Sequence, residues 1–468
     1  MSFIIYDLAF LVLFSLAVGI FLYVKRKNLK RDGIMYLYRT KIGMELIDYL
    51  GSKNKKALKF FSYIIVICGY LLMAFSIYFL VQLVYLFTKP EIVQAVKIPP
   101  IMPLIPYLPS LFKTTWLPPF YFTYWIIAIA LVAIFHEGFH GIFMKFNNIR
   151  IKSTGFGFLG PFLAFFVEQD DKQLRKAKIF PQLTIRGAGV FANTLLAIIF
   201  FLLLGWFSIV AYSASGVVIA DYSYSIGPAP FLFSNMQVTN ETLSVNNVNF
   251  TKISLQNESY FMPNYIFDLN SSERNSNKTI IKLYQNQPAI KNKISGIIVN
   301  INGKEIKTRK DISLALVEKK PGEEATIITI ENGTEKQYNI ILGKDPINDS
   351  RPVIGIASYS QTTTGFKGFI SRFLSKFQEP GVYYVAKGNE DFTQFIYYLL
   401  WWLFMINFSV AVANMLPLGI FDGGRFFMLT ILAITGSEKI VEKAFKYVTW
   451  LLLLAIILSM VFWAFGIF

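Results

Sequence analysis

His136-Glu137-Gly138-Phe139-His140 lies inside the apolar run from Tyr121 to Phe146. That run is long enough to cross a bilayer as a helix at about 1.5 Å per residue. On a helix, residues four apart share a face. Two imidazoles at that spacing can grip one Zn²⁺, and the glutamate beside the first can hold an attacking water. The chain has two histidines, and both fall in this pentapeptide. Ionisable side chains are costly inside a bilayer, so their placement in an apolar span points to function. The competing reading is a pair of histidines satisfied by helix packing.

The rest of the composition agrees with a membrane setting. Of 468 residues, 54% are hydrophobic and 16% are charged, against about 25% charged in soluble domains. This excludes a disordered chain, a collagen and a coiled coil, and it indicates a polytopic membrane protein. The net charge of +16 is scattered among loops, as in cytoplasmic loops of membrane proteins, so no nucleic-acid partner is expected. The single cysteine, Cys68, sits in an apolar run. It excludes an intrachain disulfide and a cysteine-type zinc cluster.

Six apolar runs read as spans: Phe3 to Val24, Phe60 to Phe87, Tyr121 to Phe146, Gly187 to Ala214, Phe392 to Leu416 and Tyr447 to Phe468. The first lacks a basic leader and a cleavage site, so it is expected to remain as a span. Lys25 to Lys59 carries eleven Lys and Arg residues, which places it on the cytoplasmic side. Thr88 to Phe120 is proline-rich and reads as an irregular external loop. Arg150 to Arg186 is basic and cytoplasmic again. Within it, Gly155 to Val167 is apolar but too short to cross; a re-entrant hairpin is the preferred reading and an ordinary loop on the membrane surface the alternative. Ser215 to Ser360 is polar, with clustered Asn-x-Ser/Thr sequences, which agrees with an external location. Its second half alternates like a small β domain, with turns at Asn302-Gly303 and Asn332-Gly333. Gly365 to Phe377 reads as an interfacial amphipathic helix, and Gly423 to Thr435 as a short apolar helix.

A catalytic zinc needs a third protein ligand and an open position. With no third histidine, that ligand is an aspartate or glutamate. Asp422 is the candidate, in Asn414-Met415-Leu416-Pro417-Leu418-Gly419-Ile420-Phe421-Asp422-Gly423-Gly424. The glycines leave room for close backbone approach. Asp422 as a cap of the following helix is the alternative, and the two roles are compatible. The span order puts His136, His140 and Asp422 at the same cytoplasmic end.

At these residues the chain resembles the site-2 protease family of intramembrane zinc metalloproteases. HEGFH followed by Gly141 is similar to its first motif, and Asn414 to Gly424 to its second. Ala164-Phe165-Phe166-Val167-Glu168 resembles its re-entrant element. Gly187-Ala188-Gly189-Val190-Phe191-Ala192-Asn193 resembles its Gly-Pro-x-x-Asn helix, with Val190 where proline is typical. Ser215 to Ser360 resembles a PDZ domain from about Gln287 onward, and 235–284 is an atypical insertion within it.

The resemblance implies Glu137 as general base and His136, His140 and Asp422 as ligands of Zn²⁺. Zinc polarises the scissile carbonyl and lowers the pKa of water, and Glu137 moves the proton to the leaving nitrogen. Asn193 is assigned either an oxyanion hydrogen bond or an interhelical one, and Asn414 has the same two readings. The expected fold is a polytopic α-helical membrane protein of about six transmembrane helices. It adds a re-entrant hairpin (155–168) and an inserted α+β PDZ-like extracytoplasmic domain. Its expected parts are 1–214 (membrane), 215–360 (PDZ-like), 361–391 (amphipathic linker) and 392–468 (membrane).

The expected activity is zinc-dependent endoproteolysis of transmembrane protein substrates in the lipid bilayer, in the plasma membrane. A helical substrate must unwind, and the Gly155 to Val167 strand edge can pair with the unwound segment. Three rivals remain: a surface metalloprotease with another third ligand, a non-catalytic scaffold using the PDZ-like domain to bind peptides, and a transporter. Oligomeric state is left open.

Overall fold

The computed structural model describes residues 3–467 except 34, 113–116, 160–161, 246–247, 257 and 358–374. Among these, six helices are long and apolar enough to cross a membrane: Phe3–Val24, Lys55–Phe87, Phe122–Phe146, Ile179–Ala211, Glu390–Asn414 and Glu438–Gly466. The second, fourth, fifth and sixth begin earlier than their apolar runs, at Lys55, Ile179, Glu390 and Glu438. Helical hydrogen bonding does not stop where hydropathy does, so polar turns extend the helix beyond the apolar stretch. The fourth ends at Ala211 because Tyr212–Val218 is a strand.

The chain divides into two compact units. One comprises Met1–Leu204 with Gln394–Phe468, and the other Gly205–Thr393. In the first, β1 (Leu29–Asp32), β2 (Met35–Thr40), β3 (Ile151–Leu159) and β4 (Phe162–Gln169) form an antiparallel sheet in that order. The β3–β4 hairpin covers the segment read from the sequence as one. The β1–β2 hairpin was hidden in the basic segment, where charge gave the dominant signal. Gly155 explains how these strands close up. A Cβ there would lie 2.4 Å from the Tyr38 carbonyl oxygen and 2.5 Å from the Phe166 ring. Across the sheet, Arg39 Nε and Ser153 Oγ both donate to Glu168 Oε2, at 2.8 and 2.7 Å, tying β2 and β3 to β4.

The helix carrying HEGFH is anchored at its start by another helix. Buried Asp7, in Phe3–Val24, accepts from the backbone N–H groups of Phe122 and Thr123, both at 2.8 Å. It also accepts from the Thr123 and Tyr107 hydroxyls, both at 2.5 Å. A carboxylate on the first N–H groups of a helix satisfies donors that have no intrahelical partner and complements the helix dipole. Burial, and after it the hydrogen bond to Asp7, raise the Tyr107 phenol above its ordinary range.

The second unit contains two principal sheets. Thr334–Ile341, Glu324–Glu331, Ile297–Ile301, Tyr212–Val218 and Val382–Ala386 lie side by side in that order, with Lys304–Glu305 paired onto Ile297–Ile301. The helix Arg309–Leu316 follows Lys304–Glu305 and opens on a capping box of Thr308 and Asp311. Asn302-Gly303 and Asn332-Gly333 both adopt positive φ at their two central positions, as tight hairpin turns require. The stretch 235–284, uninterpretable from its sequence, contributes most of an antiparallel sheet. Its order is Tyr224–Pro228, Ile280–Gln285, Glu258–Pro263, Val248–Leu255, Gln237–Val245. Leu232, Ile253, Met262 and Ile281 form that sheet's own core. The amphipathic helix expected at Gly365 to Phe377 falls almost wholly outside the described residues.

Candidate metal centre

Three elements of the first unit build the site. The helix Phe122–Phe146 supplies His136, Glu137 and His140. The helix Ile179–Ala211 passes beside them, and Asp422 opens the short helix Asp422–Thr435, with Phe421 as its N-cap. Asp422 thus occupies the first helical position rather than the cap. What brings it there is the absence of side chains at the next two residues. A Cβ on Gly423 would lie 2.4 Å from the Met415 carbonyl, and one on Gly424 2.2 Å from the Leu418 oxygen. The loop from Met415 to Leu418 therefore packs directly on the start of the helix.

His136 Nε2, His140 Nε2 and Asp422 Oδ2 converge. The two nitrogens are 3.2 Å apart, and the carboxylate oxygen is 3.2 Å from one and 3.1 Å from the other. Ligand atoms held about 2.0–2.1 Å from a tetrahedral zinc are spaced roughly 3.3 Å apart. Two imidazoles and a carboxylate with a fourth side open is the donor set of a catalytic zinc site. Room for an ion comes from Gly189, where a Cβ would sit 2.4 Å from His140 Nε2 and 2.7 Å from His136 Nε2. These residues therefore fit a zinc ion.

The atoms facing away from this point are also held. His140 Nδ1 donates to the Ile185 carbonyl at 2.6 Å. Arg186 Nη1 lies 3.6 Å from Asp422 Oδ1. The Asn193 amide lies 2.9 Å from His136 Nδ1. Glu137 points elsewhere: its Oε2 accepts the Val167 N–H at 3.2 Å. That contact docks the outer edge of β4 against the HEGFH motif.

A cavity of about 780 Å³ opens on this constellation, lined by His136, Glu137, His140, Asp422, Arg186, Asn414 and most of β4 from Leu163 to Gln169. Asn193 is fully buried and does not line it. Of its two sequence readings, the interhelical hydrogen bond is the one present. Asn414 does line the cavity.

Sequence reasoning passed over Arg186 and Gly189. Arg186 was counted as loop charge, although Arg186, Gly189 and Asn193 follow one another at helical spacing, on one face.

The sequence profile of peptidase family M50 matches residues 124–460, a span that includes both histidines, Glu137 and Asp422. The chain belongs to peptidase family M50. No curated protein matches it. As an M50 peptidase with six apolar helices among its described residues, it is an integral membrane protein with a metallopeptidase function. The His136–His140–Asp422 cluster is consistent with the family's zinc.

Proposed function

We propose that this M50 peptidase is an intramembrane zinc endopeptidase that hydrolyses peptide bonds in or near transmembrane segments of membrane proteins. The observation that carries this is the adjacency of three features: the His136–His140–Asp422 cluster, Glu137, and the free edge of β4. Bound zinc supplies a Lewis acid. Glu137, one residue from a ligand and lining the same cavity, is placed to hold a water and move its proton to the leaving nitrogen.

β4 is positioned to hold the substrate. Along an antiparallel strand, backbone N–H groups alternate between the partner strand and the opposite side. Val167 directs its N–H away from β3, toward Glu137. Phe165 and Leu163 therefore share that outward direction, while Phe166 and Ala164 pair with β3. An unwound substrate segment can add as a further strand there, with its carbonyls beside the metal cluster.

In this reading the β3–β4 hairpin is re-entrant, and the cavity opens toward the cytoplasmic side of the plasma membrane. The partners are transmembrane substrates, and the second unit is an extracytoplasmic PDZ-like domain that filters or tethers them.

The test is zinc content and cleavage of a model transmembrane substrate in proteoliposomes. Glu137→Gln is expected to keep zinc and lose cleavage. Asp422→Ala is expected to lose cleavage and bind zinc far more weakly. Normal cleavage by Glu137→Gln would return the chain to the scaffold reading.

A further inference from the structure

We propose that the helix Ile179–Ala211 sets which atom each ligand presents, with Asn193 and Arg186 as its positioning residues. This rests on the metallopeptidase reading. Each of the three candidate ligands is held at its far atom by this one helix: His140 by the Ile185 carbonyl, Asp422 by Arg186, and His136 by Asn193. A carbonyl can only accept, so His140 carries its proton on Nδ1 and offers the Nε2 lone pair. Arg186 engages Asp422 Oδ1 and leaves Oδ2 to face the imidazoles.

Asn193 completes the set once the direction of its amide is settled. Its Nδ2 is placed on His136 Nδ1, and its Oδ1 is buried with no hydrogen-bond partner. The oxygen and nitrogen of an amide are nearly the same in shape, and the hydrogen-bond network decides between them. When Nε2 of a neutral imidazole is given to a metal, the proton sits on Nδ1, and the partner of Nδ1 must accept it. The opposite orientation would place a donor on Nδ1 and force the proton onto Nε2, the atom that faces Asp422. The Asn193 amide is therefore turned so that Oδ1 accepts from His136 Nδ1–H. Asn193 acts through His136 and does not touch substrate.

Zinc affinity of the full-length protein in detergent, measured by competition with a chelator, tests this. Asn193→Leu removes the acceptor and is expected to weaken zinc binding about 10–100-fold. Asn193→Asp is expected to bind as tightly as wild type, because an ionised carboxylate can only accept. Equal binding by wild type and Asn193→Leu, or weaker binding by Asn193→Asp than by Asn193→Leu, overturns the assignment. If the Asn193 variants do not fold, Arg186 decides: Arg186→Lys is expected to retain zinc and Arg186→Met to weaken it. An Arg186→Met protein with wild-type affinity counts against the positioning helix. Absence of zinc from wild type is a different outcome, and it sinks the metallopeptidase reading itself.

Discussion

Replacing Gly189 with alanine adds one methyl group where the two candidate ligand nitrogens meet. The new Cβ would lie 2.4 Å from His140 Nε2, 2.7 Å from His136 Nε2 and 2.8 Å from His136 Cδ2. Ordinary non-bonded separations are about 3.5 Å or more, so both rings must retreat by about 1 Å. Metal–ligand distances tolerate only about 0.2 Å. The rings have little freedom to retreat, because the helix that brings the methyl group also grips their Nδ1 atoms through Ile185 and Asn193. Zinc binding of about 10–16 kcal/mol spread over four positions amounts to roughly 2.5–4 kcal/mol per ligand. Loss of one ligand then weakens affinity about 10²–10³-fold. The assay is chelator competition on purified protein, with Gly138→Ala as the matched control. Gly138 lies in the motif itself, yet a Cβ there meets nothing within 4 Å, so this substitution should leave zinc binding intact. If Gly189→Ala holds zinc as tightly as Gly138→Ala, the ion does not sit between the imidazoles, and the site geometry is wrong.

The alternation along β4 separates two neighbouring prolines. Phe165→Pro removes an outward N–H and should abolish cleavage with zinc retained, whereas Phe166→Pro breaks the β3 ladder and should also lower thermal stability. Equal cleavage by Phe165→Pro and wild type would exclude strand addition at this edge. Asp7→Ala leaves two backbone N–H groups at the start of the HEGFH helix without their acceptor, for a cost of about 2–4 kcal/mol. It should lower the melting temperature in detergent, with Asp7→Asn intermediate; an unchanged melting temperature would show that the cap is dispensable. In the second unit, the backbone N–H of Thr308 at 2.7 Å, with the Thr308 hydroxyl and the Lys307 N–H, holds Asp311 below the usual carboxylate range. A depressed acid stabilises fully above its unfolded pKa, and that contribution is lost as pH falls through the folded value. The gap in hydrogen-exchange protection between wild type and Asp311→Asn over Arg309–Leu316 should therefore shrink on acidification. A gap that persists in acid would refute the capping role.

The parts of this protein legible in one dimension are those whose physics is local. Bilayer-length apolar runs located the six long helices found among the described residues, and their ends erred most where polar turns continue a helix or a strand takes over. Two imidazoles four residues apart share a helix face whatever surrounds them, so HEGFH could be read as a metal grip directly. The Asn-Gly turns could be read because few other residues accept two successive positive φ values.

Relations between distant segments were harder to read. Span order allowed Asp422 to reach the histidines but did not bring it there; Gly423 and Gly424 against the Met415–Leu418 backbone did. The β1–β2 hairpin was invisible because its strands are stabilised by β3, more than a hundred residues away. The sequence by itself determined a membrane protein with a metal-binding pair of histidines on a helix, because length, hydropathy and helical periodicity suffice for that. Only the tertiary structure decided that Asn193 faces His136 rather than the cavity, that Arg186 meets Asp422, and that β4 lies against Glu137. Those contacts depend on how helices and strands pack across the fold, and no local spacing encodes that.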